Sequence, residues 1–169
     1  MKTIKLLKTL IDIYYYLFLI AITFSIITLP ILLFTDQSYE ISMADSQTFD
    51  LGGLNPMKTF IVFFSIVLMI WVFFYTIRLV KRTVDVMYRG KYFSSLVIKN
   101  FKKIGQLFIV CAIGSSFLKF ILKAVTLNIF SIEISSAFLL FLIMGLFMMF
   151  LSEVFGIAKR HETENELTI

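Results

Sequence analysis

The chain has 169 residues, 59% of them hydrophobic and 17% aromatic, and a formal net charge of +5. A mean hydropathy of +0.92 excludes a water-soluble globule of this size and points to lipid as the solvent. One cysteine, Cys111, excludes an intrachain disulfide, and one histidine, His161, with scattered carboxylates leaves no spacing suited to metal ligation.

The first predicted span covers 14–34, uncharged throughout and preceded by Lys2, Lys5 and Lys8. A bilayer crossing takes about 20 helical residues, so the run is long enough. It outlasts a secretory h-region and no small-x-small site follows, which reads as an uncleaved helix. Pro30 is expected to bend its outer end by removing a backbone donor. Residues 36–58 form the one long polar connection, an outside loop with Asp36, Glu40, Asp45 and Asp50 against Lys58. Gly52-Gly53 and Asn55-Pro56 are turn signals, and Tyr39, Ile41 and Met43 alternate with polar residues as in a short hairpin.

The second span, 59–77, ends at Arg78, and between Arg78 and Lys103 eight Lys or Arg face one Asp. On a helical projection Leu79, Thr83, Val86 and Met87 share one side, and Lys81, Arg82, Asp85 and Arg89 the other. The helix is therefore expected to continue past the membrane. Gly90 is suited to end it in the left-handed conformation, and Ser94 or Ser95 to cap a new helix. There Val97, Phe101 and Ile104 form one stripe and Lys99, Lys102 and Lys103 the opposite one. This amphipathic basic hairpin, 78–103, leads into the third span, 104–122.

Lys119 and Lys123 stand four residues apart near the outer end of that span, followed by Glu133. Two readings fit: the lysines snorkel to the interface, or Glu133 pairs with Lys119 or Lys123 and ties the third and fourth helices together. The fourth span, 134–151, leaves a tail over 152–169 with Glu153, Lys159 and Arg160. With both termini inside, 13 of the 16 Lys and Arg lie inside and only Lys58, Lys119 and Lys123 outside. The positive-inside rule selects this orientation. The expected fold is a single all-α integral membrane domain with four transmembrane helices, N-in and C-in.

No reaction is written in these residues. His161 has no nucleophile near it, and Gly114-Ser115-Ser116 lacks the Gly-x-Ser-x-Gly elbow. Cys111 with Ser115 and Ala112 with Ser116 instead suit close helix packing. Phosphate-binding glycine motifs are absent. The chain is expected not to be an enzyme and to take no cofactor or metal. A carrier would place ionisable groups in mid-membrane or break its helices, whereas the first, second and fourth spans are uncharged and Pro30 and Gly145 are single interruptions. Assembly from several copies leaves a small transporter, or a peptide-immunity protein, as the alternative. The basic hairpin serves either as an anchor on anionic lipid or as a docking surface built from Arg89, Lys99, Lys102 and Lys103 with Phe93 and Phe101. Direct nucleic-acid binding is not expected, because the segment would have to leave the membrane surface.

At this hairpin Asp85-Val86-Met87-Tyr88-Arg89-Gly90-Lys91-Tyr92-Phe93-Ser94, then Asn100-Phe101-Lys102-Lys103-Ile104-Gly105, resembles the bacterial four-helix membrane family known as domain of unknown function 2975. The acidic ending Glu164-Asn165-Glu166-Leu167-Thr168-Ile169 is similar too. Lys91-Tyr92 departs from the small or proline residue expected before the phenylalanine. The resemblance implies a bacterial cytoplasmic membrane protein whose relatives are often encoded beside a small helix-turn-helix DNA-binding protein. It implies that Arg89, Gly90, Phe93, Asn100 and Gly105 shape the hairpin and that Leu167, Thr168 and Ile169 are a contact peptide. The leading expectation is a non-enzymatic membrane regulator or scaffold that docks such a partner.

Overall fold

The computed structural model describes residues 2–33, 40–42, 48–50 and 54–166. In chain order run α1 (Lys2–Leu33), β1 (Glu40–Ser42), β2 (Thr48–Asp50), α2 (Pro56–Tyr88), α3 (Ser95–Thr126) and α4 (Ser136–Glu166). Each helix is long and apolar enough to cross a membrane. Ile20, Phe24, Phe64, Phe117 and Ile143 all stand more than half exposed on their surfaces. Water disfavours so much contiguous apolar surface and lipid accepts it; the chain is a multi-pass membrane protein.

Every helix overshoots its apolar run, with 32, 33, 32 and 31 residues in α1 to α4. At 1.5 Å per residue such helices span about 48 Å, against about 30 Å of hydrocarbon. Hydropathy marks only the part that lipid must accept, while helicity persists wherever flanking residues can pack. The projection anticipates the extensions of α2 and α3. It does not anticipate that α1 begins at Lys2, or that the tail expected over 152–169 is helix as far as Glu166. Leu167, Thr168 and Ile169 lie outside the described residues, as do Asp36, Asp45 and Gly52-Gly53.

Consecutive helices are neighbours. α1 packs on α2, α2 on α3 and α3 on α4, and Phe141 of α4 also reaches Phe73 of α2 at 6.1 Å. The partly buried residues of α1 (Ile4, Lys8, Ile11, Asp12, Tyr15, Phe18, Ile22 and Ser25) fall on a single stripe that recurs every three or four positions. On it Tyr15 stacks with Phe74 at 5.7 Å, and Phe18 meets Phe73 at 5.6 Å.

α3 and α4 meet backbone to backbone. A Cβ on Gly105 would stand 2.6 Å from the Gly145 carbonyl oxygen, and one on Gly145 would stand 2.8 Å from that of Gly105. The small residues are what allow this approach. Gly105 thus serves the helix crossing rather than the hairpin turn. Cys111 and Ala112 are fully buried beyond it, and the Ser152 hydroxyl donates to the Ile98 carbonyl at 2.8 Å, tying α4 to α3 near the other end.

The short hairpin expected in the long connection is present. Ile41 pairs with Phe49 in an antiparallel ribbon, and Phe49 is buried against Val62 and Leu122. Burying such a ring stabilises by roughly 1.5–3 kcal/mol, so the ribbon is seated on α2 and α3.

Candidate functional site

Polar chemistry gathers in three places. The first is the turn between α2 and α3. The Arg89 amide bonds to the Val86 carbonyl at 3.2 Å and the Gly90 amide to that of Met87 at 3.0 Å. Gly90 has φ 81°, a conformation glycine takes without strain. Of the two candidate serines Ser94 is the cap: its hydroxyl accepts from the Val97 amide at 3.3 Å. Lys91 and Tyr92 are accommodated between these two devices. Behind the turn Thr83, Val97, Asn100 and Ile104 are buried. Phe93 and Phe101 each meet Phe155 of α4 edge-on at 5.4 Å. The two rings expected to offer apolar contact therefore hold α4 on α3, with Phe93 keeping 38% of its surface exposed. Arg89, Lys99, Lys102 and Lys103 all face outward.

The second place escapes the sequence reading. Lys81 Nζ lies 2.8 Å from Asp12 Oδ1 and Lys8 Nζ 3.0 Å from Asp85 Oδ1, so two ion pairs join α1 to α2. Lys81 also sits 4.7 and 4.6 Å above the rings of Tyr15 and Tyr16, and Lys8 4.7 Å above Tyr88. The charged side of the α2 extension is thus shared between α1 and the outside. Beside the pairs lies an open cavity of about 650 Å³, lined by Tyr15, Tyr16, Tyr75, Arg78, Lys81 and Arg82 among others. The signal in the sequence is faint: Lys8 and Asp12, four apart, match Lys81 and Asp85, four apart, once the two helices run in opposite directions.

The third place is the far end of α3. Lys119 and Lys123 are both more than nine-tenths buried, and Lys123 Nζ pairs with the carboxylate of Glu133. Asn128, at φ 54°, folds the chain so that the amides of Leu127 and Ile129 both reach the Lys123 carbonyl. Lys58 Nζ donates to the Val125 carbonyl at 3.3 Å, a cation placed on the negative end of the α3 dipole. Ser135 then caps α4 by accepting from the Phe138 amide at 3.3 Å. The structure thus brings Glu133 to Lys123, with Lys119 one turn earlier on the same helix.

Among the described residues no group of three or more His, Cys, Asp or Glu is placed to hold a metal ion. No curated protein and no solved structure matches the chain significantly. A family model does match: the one described as "Protein of unknown function (DUF2975)", over residues 6–169. That stretch takes in nearly all of α1, the ribbon, the α2–α3 turn and α4, and the chain accordingly belongs to the DUF2975 family.

Proposed function

We propose that this protein is a non-enzymatic regulator or scaffold of the bacterial cytoplasmic membrane, with both termini inside, that docks a small helix-turn-helix DNA-binding protein on its α2–α3 turn. One observation carries the reading. Past their apolar runs α2 stays packed on α3, with Thr83 and Val97 buried, and α3 on α4 through Phe155 and Ser152, while Arg89, Lys99, Lys102 and Lys103 point away from that core. An anchor needs charge near the lipid but no ordered platform beneath it. A partner that must recognise a shape needs both.

The orientation rests on the 13-to-3 division of basic residues. Cysteines at Ser94 and Thr163 are expected to react with an impermeant maleimide only after the membrane is opened, and one at Ser46 in intact cells. The fully buried Cys111 keeps the background low. Labelling of the Ser94 variant in intact cells reverses the topology.

For docking, Lys102→Glu with Lys103→Glu is expected to cut recovery of the helix-turn-helix partner in mild detergent on the order of tenfold at low salt, and less at high salt. Deleting Leu167 to Ile169 is expected to reduce recovery while leaving membrane abundance unchanged. Wild-type recovery by both variants, or purification of the chain alone with stabilisation by a solute, removes the docking reading in favour of transport.

A further inference from the structure

The cavity between α1 and α2 holds more positive charge than the protein itself uses. Of its lining residues, Lys81 is engaged by Asp12 and Asp85 by Lys8. Arg78 and Arg82 remain, one helical turn apart and exposed, and among the described residues no carboxylate pairs with either. Two guanidinium groups at that spacing present planar donor forks suited to the oxygens of a phosphate. Tyr15, Tyr16 and Tyr75 ring the same space. The cavity opens where the apolar run 59–77 gives out, the depth at which tyrosines and lipid phosphates meet.

The seam between the two helices does not end at this cavity. Toward the middle of the helices, past the Phe18–Phe73 contact, the same seam carries a second, apolar groove of about 240 Å³, lined by Ile22, Ile26, Phe63, Val67 and Trp71. Trp71, Tyr75, Arg78 and Arg82 follow one another at intervals of three or four residues, so groove and cavity share one face of α2. A site that is cationic at the membrane surface and apolar further in matches an amphiphile. A free phosphate would need only the first half.

We propose that the α1–α2 seam is a binding site for an anionic glycerophospholipid, with the phosphate on Arg78 and Arg82 and an acyl chain along Ile22, Ile26, Phe63 and Val67. The assignment depends on the chain lying in a bilayer and is independent of any protein docked at the α2–α3 turn. It differs from loose attraction of surface charge to lipid in having a defined pair of arginines and a defined groove.

Trp71 is the chain's only tryptophan, stands 70% exposed and lines the groove, so its fluorescence reports occupancy directly. The full chain is reconstituted in phosphatidylcholine vesicles containing a minor fraction of lipid brominated on the acyl chains, either phosphatidylglycerol or phosphatidylcholine. Brominated phosphatidylglycerol is expected to quench Trp71 with about tenfold higher relative affinity, the effect of roughly one to two engaged cations. Arg78→Gln with Arg82→Gln should bring the ratio close to one, whereas Lys102→Gln with Lys103→Gln should leave it unchanged. Arg78→Lys with Arg82→Lys, which keeps charge but loses the forks, should fall between. Equal quenching of the wild-type chain by the two lipids overturns the proposal. So does a preference that survives in a folded Arg78→Gln, Arg82→Gln variant. Loss of the preference on adding inorganic phosphate would reassign the cavity to a soluble anion.

Discussion

Gly145→Ala is expected to lower the thermal midpoint of the detergent-solubilised protein sharply. The added methyl would lie 2.8 Å from the Gly105 carbonyl oxygen and 2.9 Å from Ile109 Cγ1. The first neighbour is main chain and cannot rotate away, so α3 and α4 must separate along their shared length. Overpacking of this kind typically costs about 1–3 kcal/mol, occasionally more, and here it also removes the close approach on which the packing of two membrane helices depends. Gly156→Ala is the matched control: it lies in the same helix with nothing within 4 Å of its Cβ. Alanine there should be neutral, or stabilising by up to about 1 kcal/mol through helix propensity. Gly114→Ala should fall between, because the obstacle is the Met69 sulfur, part of a flexible side chain. Equal midpoints for Gly145→Ala and Gly156→Ala would mean that the helices do not cross at this glycine pair.

Glu133→Gln is expected to be the most damaging change of charge. It removes the counter-ion of Lys123, whose side chain is only 9% exposed, while Glu133 itself is 47% exposed. Breaking a fully buried pair costs about 3–5 kcal/mol; with one partner half in solvent, about 1–3 kcal/mol is expected. The cost comes mainly from leaving a buried ammonium uncompensated. Adding Lys123→Met to Glu133→Gln should therefore recover much of the loss, since the double variant has no such charge at that position. A double-mutant cycle on thermal midpoints measures this directly. Losses that simply add would show that the lysine reaches the interface without help from Glu133.

How much of this could be read in advance depended on the range of each interaction. Apolar runs located all four helices, because a bilayer imposes its requirement on contiguous residues. The stripe of Val97, Phe101 and Ile104 opposite Lys99, Lys102 and Lys103 revealed the extension of α3, because helical periodicity is local too. Gly90 and Ser94 declared their turn through backbone chemistry confined to a few residues. Pairings across the fold were less legible. Asp12 gives no local signal beside its basic neighbours, since its partner Lys81 lies on the next helix. Gly145 is a single interruption in its own helix, and only the fold sets Gly105 opposite it; Phe49 lies in a polar connection, and only the fold supplies Val62 and Leu122 to bury it. The charged side of α2 is plain on a helical projection, but projection of a single helix cannot tell a face turned to solvent from one turned to another helix.

The ion pairs between α1 and α2 bear on how these two helices can move. Their signs alternate in opposite order along antiparallel axes: Lys8 opposes Asp85 and Asp12 opposes Lys81. Sliding α1 by one turn, about 5.4 Å, in one direction would set Asp12 against Asp85 and Lys8 near Arg89. Sliding it one turn the other way would set Lys8 against Lys81. Each alternative replaces attraction with repulsion; with both pairs about a third exposed, solvent screening holds each contribution to about 1 kcal/mol or less. The arrangement sets the register of α1 on α2: the two pairs form together only in this alignment, so a one-turn slide of α1 gives up both at once.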